Sequence, residues 1–373
     1  MNIHSKLPHV GTTIFTVMSK MATDYNAINI SQGFPNFPVD TRLTDLYHET
    51  IGENVHQYAP MAGHPLLLEE LRKLTLKSYN RAVVPEKELL VTAGATQAIY
   101  TAIQALIGKD DEVIVLDPSY DCYEPAIILA GAKAVHVNLN ENFRPNFAEI
   151  EAHFSPKTKM LIINNPHNPS GTVWRKEDME QLVDLLDNYP NVILLSDEVY
   201  EYITFENSHL SANLYKKLKA KTIVVSSFGK TFHITGWKIG YLIAPENLML
   251  EIKKVHQFLV FCVNSVAQVT LAKYLQEIDV TQLGAFYQQK RDFFQGLLKN
   301  SRLELFPSEG SYFQTVSYKA ISDENDSDFT KRLVTEFGVA TIPFSAFYAD
   351  NIDRKLIRLC YAKDDETLTQ AAE

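Results

Sequence analysis

Short apolar runs alternate with longer amphipathic stretches through the middle of the chain. Most of the short runs are continuously apolar, which is typical of strands covered by helices on both faces. The predicted strands are Leu89–Thr92, Glu112–Leu116, Ala134–Asn138, Met160–Asn164, Val192–Ser196, Thr222–Ser226 and Gly240–Ile243. Ala95–Ile107 and Glu177–Asp187 have the period of helices that connect parallel strands. The pattern therefore predicts an α/β fold with a largely parallel sheet.

The two ends of the chain differ from this central part. The first forty residues contain several prolines, and we expect them to be mostly irregular. Near the other end, a helical pattern precedes a strand-like run at Ser311–Ser317. We therefore predict two domains: a large one over residues 41–285, and a small α+β one made by residues 1–40 together with 286–373.

Composition narrows the classes of function. The 373 residues carry a net charge of -10, which argues against nucleic acid as a partner, because phosphates require a basic face. Cys122, Cys262 and Cys360 lie far apart and suit no disulfide framework. The sequence has neither a signal-peptide pattern nor the run of about 18 apolar residues that a membrane helix needs. We expect a cytoplasmic protein, and the scattered histidines give no reason to expect a metal site.

One lysine-containing turn looks at first like a nucleotide-binding loop. Residues 229–231 read Gly-Lys-Thr, but Val224 stands where that loop requires its first glycine, so the sequence excludes it. Lys230 instead follows a predicted strand directly, beside Ser227 and Lys238. Ligands of open α/β sheets bind at the carboxyl ends of strands. An amine, a hydroxyl and a second cation there suit a phosphorylated aldehyde cofactor, although a surface lysine in a turn is the alternative.

Two further strand ends carry polar side chains. Asp197 closes a predicted buried strand, where a carboxylate is costly unless it is paired, and Tyr200 follows it. A pyridinium nitrogen would supply the partner, whereas a solvated loop acid is the ordinary alternative. After another strand, two prolines and a glycine fix the loop 164–172 and thereby the direction of the Asn168 amide.

A fourth strand end, at Gly94, Ala95 and Thr96, runs into a predicted helix and presents backbone amides to an anion. Each of the four signals alone also fits an ordinary turn. All four lie at strand ends, however, and together they require one ligand with a phosphate, a reactive carbonyl, a ring nitrogen and a ring oxygen.

At these positions the chain resembles the class I and II aminotransferases of the fold-type-I pyridoxal-phosphate enzymes, and the resemblance extends from Gln32 to Arg358. It is similar above all to the branch of kynurenine and bacterial methionine aminotransferases. The segments that indicate this branch are Ser31–Pro35, Gln57–Pro60, Ser227–Phe232, Gly236–Lys238, His256–Gln257 and Phe261–Asn264. The resemblance implies a large domain whose mostly parallel seven-stranded sheet is sandwiched by helices, plus a small α+β domain.

The resemblance also implies roles for individual residues. Lys230 would carry pyridoxal 5'-phosphate as a Schiff base and move the substrate proton. Asp197 would pair with the pyridine nitrogen, Asn168 and Tyr200 would bind the ring oxygen, and Tyr120 would stack on the ring. The catalytic residues are thus Lys230, Asp197 and Tyr200.

The remaining implied roles concern the phosphate and the substrate. Arg358 would bind the substrate carboxylate through two parallel hydrogen bonds, assisted by the Gly33 backbone and Asn168. The Asp117–Pro118 and Asn168–Pro169 bonds are expected to be cis. The implied phosphate ligands are Gly94, Ala95, Thr96, Ser227, Lys238 and, from the other subunit of a homodimer, Tyr58.

Two positions depart from many relatives. Gly229 stands where many have serine, and Lys238 stands where many have arginine, so the phosphate would meet a point charge rather than a fork. Both variants suit the kynurenine-like branch.

The expected reaction is a ping-pong transfer of an amino group from an L-amino acid to a 2-oxo acid. Phe15, Tyr58, Tyr120 and Phe261 would form an apolar pocket, with Tyr58 and Phe261 supplied by the partner subunit. Methionine, aromatic amino acids, kynurenine or glutamine are the predicted donors. The alternatives are a cysteine-S-conjugate β-lyase on the same scaffold, a non-catalytic cofactor-binding regulator, and a relative that has lost its cofactor.

Overall fold

The computed structural model describes residue 1 and residues 3–373. No helix among these described residues combines the length and the apolar character that a membrane span requires. The helices are α1 (Ile14–Asp24), α2 (Thr41–Ile51), α3 (Pro65–Tyr79), α4 (Pro85–Glu88), α5 (Ala95–Leu106), α6 (Tyr123–Leu129), α7 (Phe147–Ala152), α8 (Lys176–Asn188), α9 (Lys216–Lys219), α10 (Phe228–Thr231), α11 (Glu246–Leu259), α12 (Ser265–Glu277), α13 (Leu283–Leu298), α14 (Asp326–Phe337) and α15 (Asp365–Ala372).

The strands form one large sheet and two small ones. The large sheet has seven strands in the order β2-β8-β7-β6-β5-β3-β4, and all neighbours are parallel except β8, which is antiparallel to both of its neighbours. The strands are β1 (Ile28–Asn29), β2 (Leu89–Thr92), β3 (Glu112–Asp117), β4 (Lys133–Asn138), β5 (Thr158–Asn164), β6 (Ile193–Asp197), β7 (Thr222–Ser227), β8 (Gly240–Ile243), β9 (Glu304–Leu305), β10 (Phe313–Ser317), β11 (Val339–Ala340), β12 (Ile342–Pro343) and β13 (Leu356–Cys360).

The large sheet is apolar on both faces, as its sequence predicts. Along β7, Val224 packs in one core cluster with Leu182 of α8, whereas Ile223 and Val225 pack in another with Ala98 of α5. Successive side chains of a strand point to opposite faces, so a strand covered on both sides must be apolar throughout. The predicted fold class and the seven-stranded, mostly parallel sheet are confirmed.

All seven predicted strands exist, and their bounds shift by at most two residues. The prediction that Val192 belongs to a strand is wrong: β6 begins at Ile193 and extends to Asp197, and β7 likewise extends to Ser227. The strands are longer at their carboxyl ends because parallel ladder bonds continue to the edge of the sheet, where Asp197 is paired with Val225. Two of the predicted site residues are therefore held by sheet hydrogen bonds.

The N-terminal stretch is mostly irregular, as predicted, but it contains one helix that the sequence analysis did not predict. Helix α1 begins after Thr13, whose side chain accepts a hydrogen bond from the Thr16 amide, and it buries Met18 and Ala22. That face packs against Val334, Ala340, Ile342 and Phe347 from near the other chain end. The helix forms because its apolar positions meet this surface, which lies far along the sequence.

The two chain ends are also joined through their backbones. Strand β1 pairs in parallel with β11, and the Cys360 amide of β13 donates a hydrogen bond of 2.9 Å to the Ile30 carbonyl. A four-stranded sheet in the order β12-β13-β10-β9 completes this region. This packing supports a small unit built from both ends, while the boundaries at residues 41 and 285 stay a prediction.

Candidate active site

A cavity of about 390 Å³ lies at the carboxyl ends of β5, β6 and β7, between the large sheet and the packed chain ends. Fifteen candidate residues were predicted from the sequence, and thirteen of them line this single cavity. These are Phe15, Gly33, Gly94, Ala95, Thr96, Tyr120, Asn168, Asp197, Tyr200, Ser227, Lys230, Lys238 and Arg358. Tyr58 and Phe261 do not line it.

Lys230 lines the cavity. It is in the short helix α10, which follows β7 directly, and its Nζ donates a hydrogen bond of 3.1 Å to the Gly33 carbonyl. The same Nζ is 5.7 Å from the ring centroids of both Tyr200 and Tyr312. Burial lowers the pKa of Lys230 to about 8, so a larger share of the amine is neutral and nucleophilic near neutral pH.

Asp197 is a buried carboxylate at the end of β6. The Tyr123 hydroxyl donates a hydrogen bond of 2.6 Å to its Oδ2, and the Val199 amide donates a long one of 3.4 Å to its Oδ1. Burial raises the pKa of Asp197 to about 6 despite these hydrogen bonds. The hydrogen bonds therefore do not fully offset the cost of burying the negative charge of Asp197. A cation bound in the cavity would stabilise the charged form of this carboxylate.

The turn that carries Tyr200 is fixed from behind by a buried polar cluster. Glu201 accepts a hydrogen bond of 2.9 Å from the Tyr241 hydroxyl, and further ones from Ser226 and Tyr79. These bonds connect the turn to β7, to β8 and to α3. They hold the Tyr200 ring against the cavity.

A cluster of donors for an anion lies at the start of α5. The first amides of this helix, at Ala95 and Thr96, have no carbonyl within the helix to bind. Gly94 precedes them with φ +78°, and a Cβ there would lie 3.4 Å from both Cε and Nζ of Lys238. Ser227 lines the same cavity. Backbone amides, an ammonium and a hydroxyl are the donors that a phosphate group requires.

Arg358 is buried in the centre of β13 and lines the cavity. Its Nη1 donates a hydrogen bond of 2.7 Å to Asn168 Oδ1, and its Nη2 donates one of 2.8 Å to the Ser31 carbonyl. Its Nε is buried without a partner among the described residues, and the guanidinium carbon lies 4.0 Å from the Phe313 ring centroid. Burial lowers the pKa of Arg358, so an anionic ligand here would be strongly favoured.

The loop after β5 holds Asn168 in one direction. The Asn168 amide donates a hydrogen bond of 2.8 Å to Asn164 Oδ1, and Asn164 Nδ2 donates one of 2.9 Å to the Asp197 carbonyl. The predicted cis bonds at Asp117–Pro118 and Asn168–Pro169 are confirmed, and Asn165–Pro166 is a third that was not predicted.

Two aromatic residues predicted for the substrate pocket lie elsewhere on this chain. Tyr58 is 83% exposed and Phe261 is 44% exposed, and their ring centroids are 5.2 Å apart. They form an exposed pair on the surface, and their contribution to a neighbouring subunit's cavity stays a prediction. Phe15 does line the cavity and packs edge-on against Phe347 at 5.9 Å.

Several residues at the site were not among the predicted ones, and three of them have a clear part in it. Tyr123 binds Asp197, and the Tyr312 hydroxyl donates a hydrogen bond of 2.6 Å to the Gly33 carbonyl that Lys230 also binds. Asp121 lines the cavity directly after Tyr120. Of these residues, only Asp121 could have been found from the sequence, because it is an acidic residue directly after Tyr120, which was predicted to stack on the cofactor ring.

The geometry suits a specific kind of chemistry. The cavity combines a reactive amine, a buried carboxylate, an anion-binding helix start and a buried arginine. A phosphorylated ring cofactor with a carbonyl group would use the first three, and a substrate carboxylate would use the fourth.

Comparison with known proteins agrees with this geometry. The profile of the family described as aminotransferase class I and II matches residues 25–373. A methionine aminotransferase of Escherichia coli K12 is 45% identical over 373 residues, covering 99% of this chain and 96% of that protein. A kynurenine–oxoglutarate transaminase of Dictyostelium discoideum is 33% identical, covering 97% of this chain and 93% of that protein.

Solved structures give the same answer. The crystal structure of YbdL from Escherichia coli, for which a methionine aminotransferase function was identified, matches with a TM-score of 0.97 at 44% identity, covering 100% of this chain and 98% of that one. An N-succinyldiaminopimelate aminotransferase from Mycobacterium tuberculosis matches with a TM-score of 0.95 at 31% identity, covering 100% and 98%. These relatives favour transamination over the β-lyase alternative. The chain therefore belongs to the class I and II aminotransferases and is a pyridoxal-phosphate-dependent transaminase.

Proposed function

We propose that this enzyme transfers the amino group of L-methionine, or of a similar apolar or aromatic amino acid, to a 2-oxo acid. The observation that carries the proposal is that the Lys230 amine, the Asp197 carboxylate and the Arg358 guanidinium line one cavity. The methionine aminotransferase relative at 45% identity supports the choice of donor. Kynurenine and glutamine are further donors to test.

The residues of the cavity fit pyridoxal phosphate. Burial raises the pKa of Asp197, and a cation would stabilise its charged form, so this carboxylate would pair with the ring nitrogen. Asn168 and Tyr200 would bind the ring oxygen. The phosphate would lie at the start of α5, where the absence of a Cβ at Gly94 keeps the Lys238 ammonium accessible.

Each residue of the chain then has a defined task. Bound pyridoxal phosphate supplies a reactive carbonyl carbon and a ring that withdraws electrons from the substrate. Lys230 Nζ serves as the nucleophile towards the cofactor and, once released, takes the proton from the substrate's α-carbon. Arg358 holds the substrate carboxylate through its guanidinium, which orients the α-proton, and Asp197 keeps the ring nitrogen protonated.

We propose further that the enzyme acts as a homodimer. The exposed pair of Tyr58 and Phe261 supports this, because large aromatic side chains on a surface are typical of an interface. In the dimer, Tyr58 would bind the phosphate in the partner's cavity and Phe261 would cover its substrate. We also propose a cytoplasmic location, to which the three free cysteines are suited.

The proposal is tested by absorbance spectroscopy of the purified protein with pyridoxal phosphate. L-methionine should convert the visible cofactor band into an ultraviolet one and release one equivalent of its 2-oxo acid. Lys230→Ala should abolish both changes, whereas Lys109→Ala, which removes an exposed lysine far from the cavity, should abolish neither.

Three outcomes would contradict the proposal. A protein that forms no visible band with pyridoxal phosphate would not have the proposed site. A band unchanged by methionine, phenylalanine, kynurenine and glutamine would rule out the proposed donors. Pyruvate and ammonia released from a cysteine conjugate, with no acceptor 2-oxo acid added, would restore the β-lyase alternative.

A further inference from the structure

The positive charges of the cavity are all used by the proposed function, on which this inference rests. Lys230 reacts with the cofactor, Lys238 binds its phosphate, and Arg358 binds the substrate's α-carboxylate. Among the described residues that line the cavity, there is no further lysine or arginine and no histidine. The chain therefore offers no positive charge for a second carboxylate on the substrate.

The cavity also contains a carboxylate that the proposed function does not use. Asp121 lines it, and its side chain forms no hydrogen bond or ion pair with another described residue. Asp197, the other acid of the cavity, has its task at the ring nitrogen. Protein atoms around the Asp121 carboxyl raise its pKa, and the charge that opposes this effect is that of Arg358. Asp121 and Arg358 line the same cavity, so a substrate whose α-carboxylate is bound by Arg358 lies in the cavity that Asp121 borders.

We propose that Asp121 is a specificity-determining residue that disfavours substrates carrying a second carboxylate. The donor amino acid and the acceptor 2-oxo acid would then both have uncharged side chains. Asp121 is exposed at the cavity, where solvent weakens but does not remove the repulsion between like charges, whereas an amide or thioether of the same length meets no such penalty. Because a ping-pong enzyme receives both substrates in one site, the exclusion applies to both.

The proposed exclusion of a second carboxylate also determines which 2-oxo acid can serve as the acceptor. The name of the Dictyostelium relative includes oxoglutarate, a dicarboxylate, as that protein's substrate. For this chain we expect 2-oxoglutarate to be a poorer acceptor than a 2-oxo acid of similar length with an uncharged end.

Two pairs of ligands, matched in length, test the proposal on the holoenzyme. L-glutamine carries an uncharged amide where L-glutamate carries a carboxylate, and the unreactive ligand pentanoate carries a methyl group where glutarate carries its second carboxylate. The wild type should prefer glutamine over glutamate in kcat/KM, and pentanoate over glutarate in Kd, by at least about tenfold. Asp121→Asn should reduce both ratios about tenfold, mainly through tighter binding of the dicarboxylates.

Glu141→Gln is the matched control, since it removes one negative charge from an exposed loop residue and should leave both ratios unchanged. Equal binding of glutarate and pentanoate by the wild type would overturn the proposal without requiring any variant. Unchanged ratios in Asp121→Asn would overturn it as well. Because binding of the unreactive ligands needs no turnover, this result is independent of whether methionine proves to be the donor.

Discussion

At the scale of single residues, the buried Asp197 carboxylate lowers the free energy of unfolding of the apoprotein. Its proposed role at the ring nitrogen requires that burial. Its pKa is about 6 in the fold, raised from 3.8 by burial. Between these two values the folded protein binds a proton that the unfolded chain has already released. The free energy of unfolding of the apoprotein should therefore fall as pH rises through this interval, and the deficit should be complete above pH 6.

Asp197→Asn should remove this deficit while abolishing activity. We expect the apoprotein of this variant to be more stable than the wild type by about 1–3 kcal/mol at pH 8, and by little at pH 4. Urea unfolding of the two apoproteins at both pH values measures the difference. Asp45→Asn, an exposed carboxyl on α2, is the control and should show no such dependence. An Asp197→Asn variant that is less stable at pH 8 would contradict this account.

The site residues predicted from sequence are those whose chemistry follows from their place in the chain. Asp197 is the last residue of β6, and Asn168 and Lys230 come within four residues of the ends of β5 and β7, so their location at the sheet edge is a local property. The contributions of Tyr123 and Tyr312 are not local. Tyr123 acts only because α6 brings its hydroxyl to Asp197, and Tyr312 acts only because the Gly33 carbonyl lies beside it.

At the scale of elements, the start of α5 depends on a glycine for two separate reasons. Gly94 has φ +78°, which strains any other residue, and a Cβ would also contact the Lys238 amine. Gly338, which ends α14, shares only the first property: its φ is +69° and its surroundings are open. The two glycines therefore separate backbone strain from cofactor binding.

Gly94→Ala and Gly338→Ala should each lower the stability of the apoprotein by about 1–2 kcal/mol. Only Gly94→Ala should also weaken pyridoxal phosphate binding, by about tenfold, because the new methyl group occupies space beside Lys238. Thermal unfolding and cofactor titration of the apoproteins measure the two effects. Equal loss of cofactor affinity in both variants would show that strain alone is responsible.

Helices and strands were predictable from the sequence where a short stretch of residues contains their whole pattern of apolar and polar positions. All strands of the large sheet are of this kind. Helix α1 was missed because only Met18 and Ala22 are fully buried on it, and the residues they contact, such as Val334 and Phe347, come from near the other end of the chain. The antiparallel direction of β8 was equally inaccessible, since strand direction depends on how the connections run and not on apolar content.

At the scale of the whole molecule, the proposed dimer makes each active site depend on both chains. Lys230 and Arg358 line the cavity of their own chain, whereas Tyr58 would act in the partner's. Mixing two inactive variants can therefore restore activity, but only if their defects fall in different sites of the hybrid.

Lys230→Ala and Tyr58→Ala, each impaired alone, should regain about a quarter of wild-type activity when unfolded and refolded together, because random pairing gives half hybrids with one intact site each. Lys230→Ala with Arg358→Ala is the matched control and should regain none, because both residues belong to one chain's cavity. Activity of the refolded mixtures is the measurement. Failure of the first mixture, with hybrids verified by size and mass, would contradict the shared site.

The pairing of β1 with β11 determines when the enzyme becomes complete during its synthesis. Residues near Ile28 leave the ribosome long before their backbone partners at Val339 and Cys360 are translated. The Gly33 wall of the cavity likewise precedes Arg358 by most of the sequence. The large sheet can form on the nascent chain while β1 is still unpaired and the apolar face of α1 is open to chaperones. The scaffold of this enzyme can therefore form during synthesis before its active site is complete.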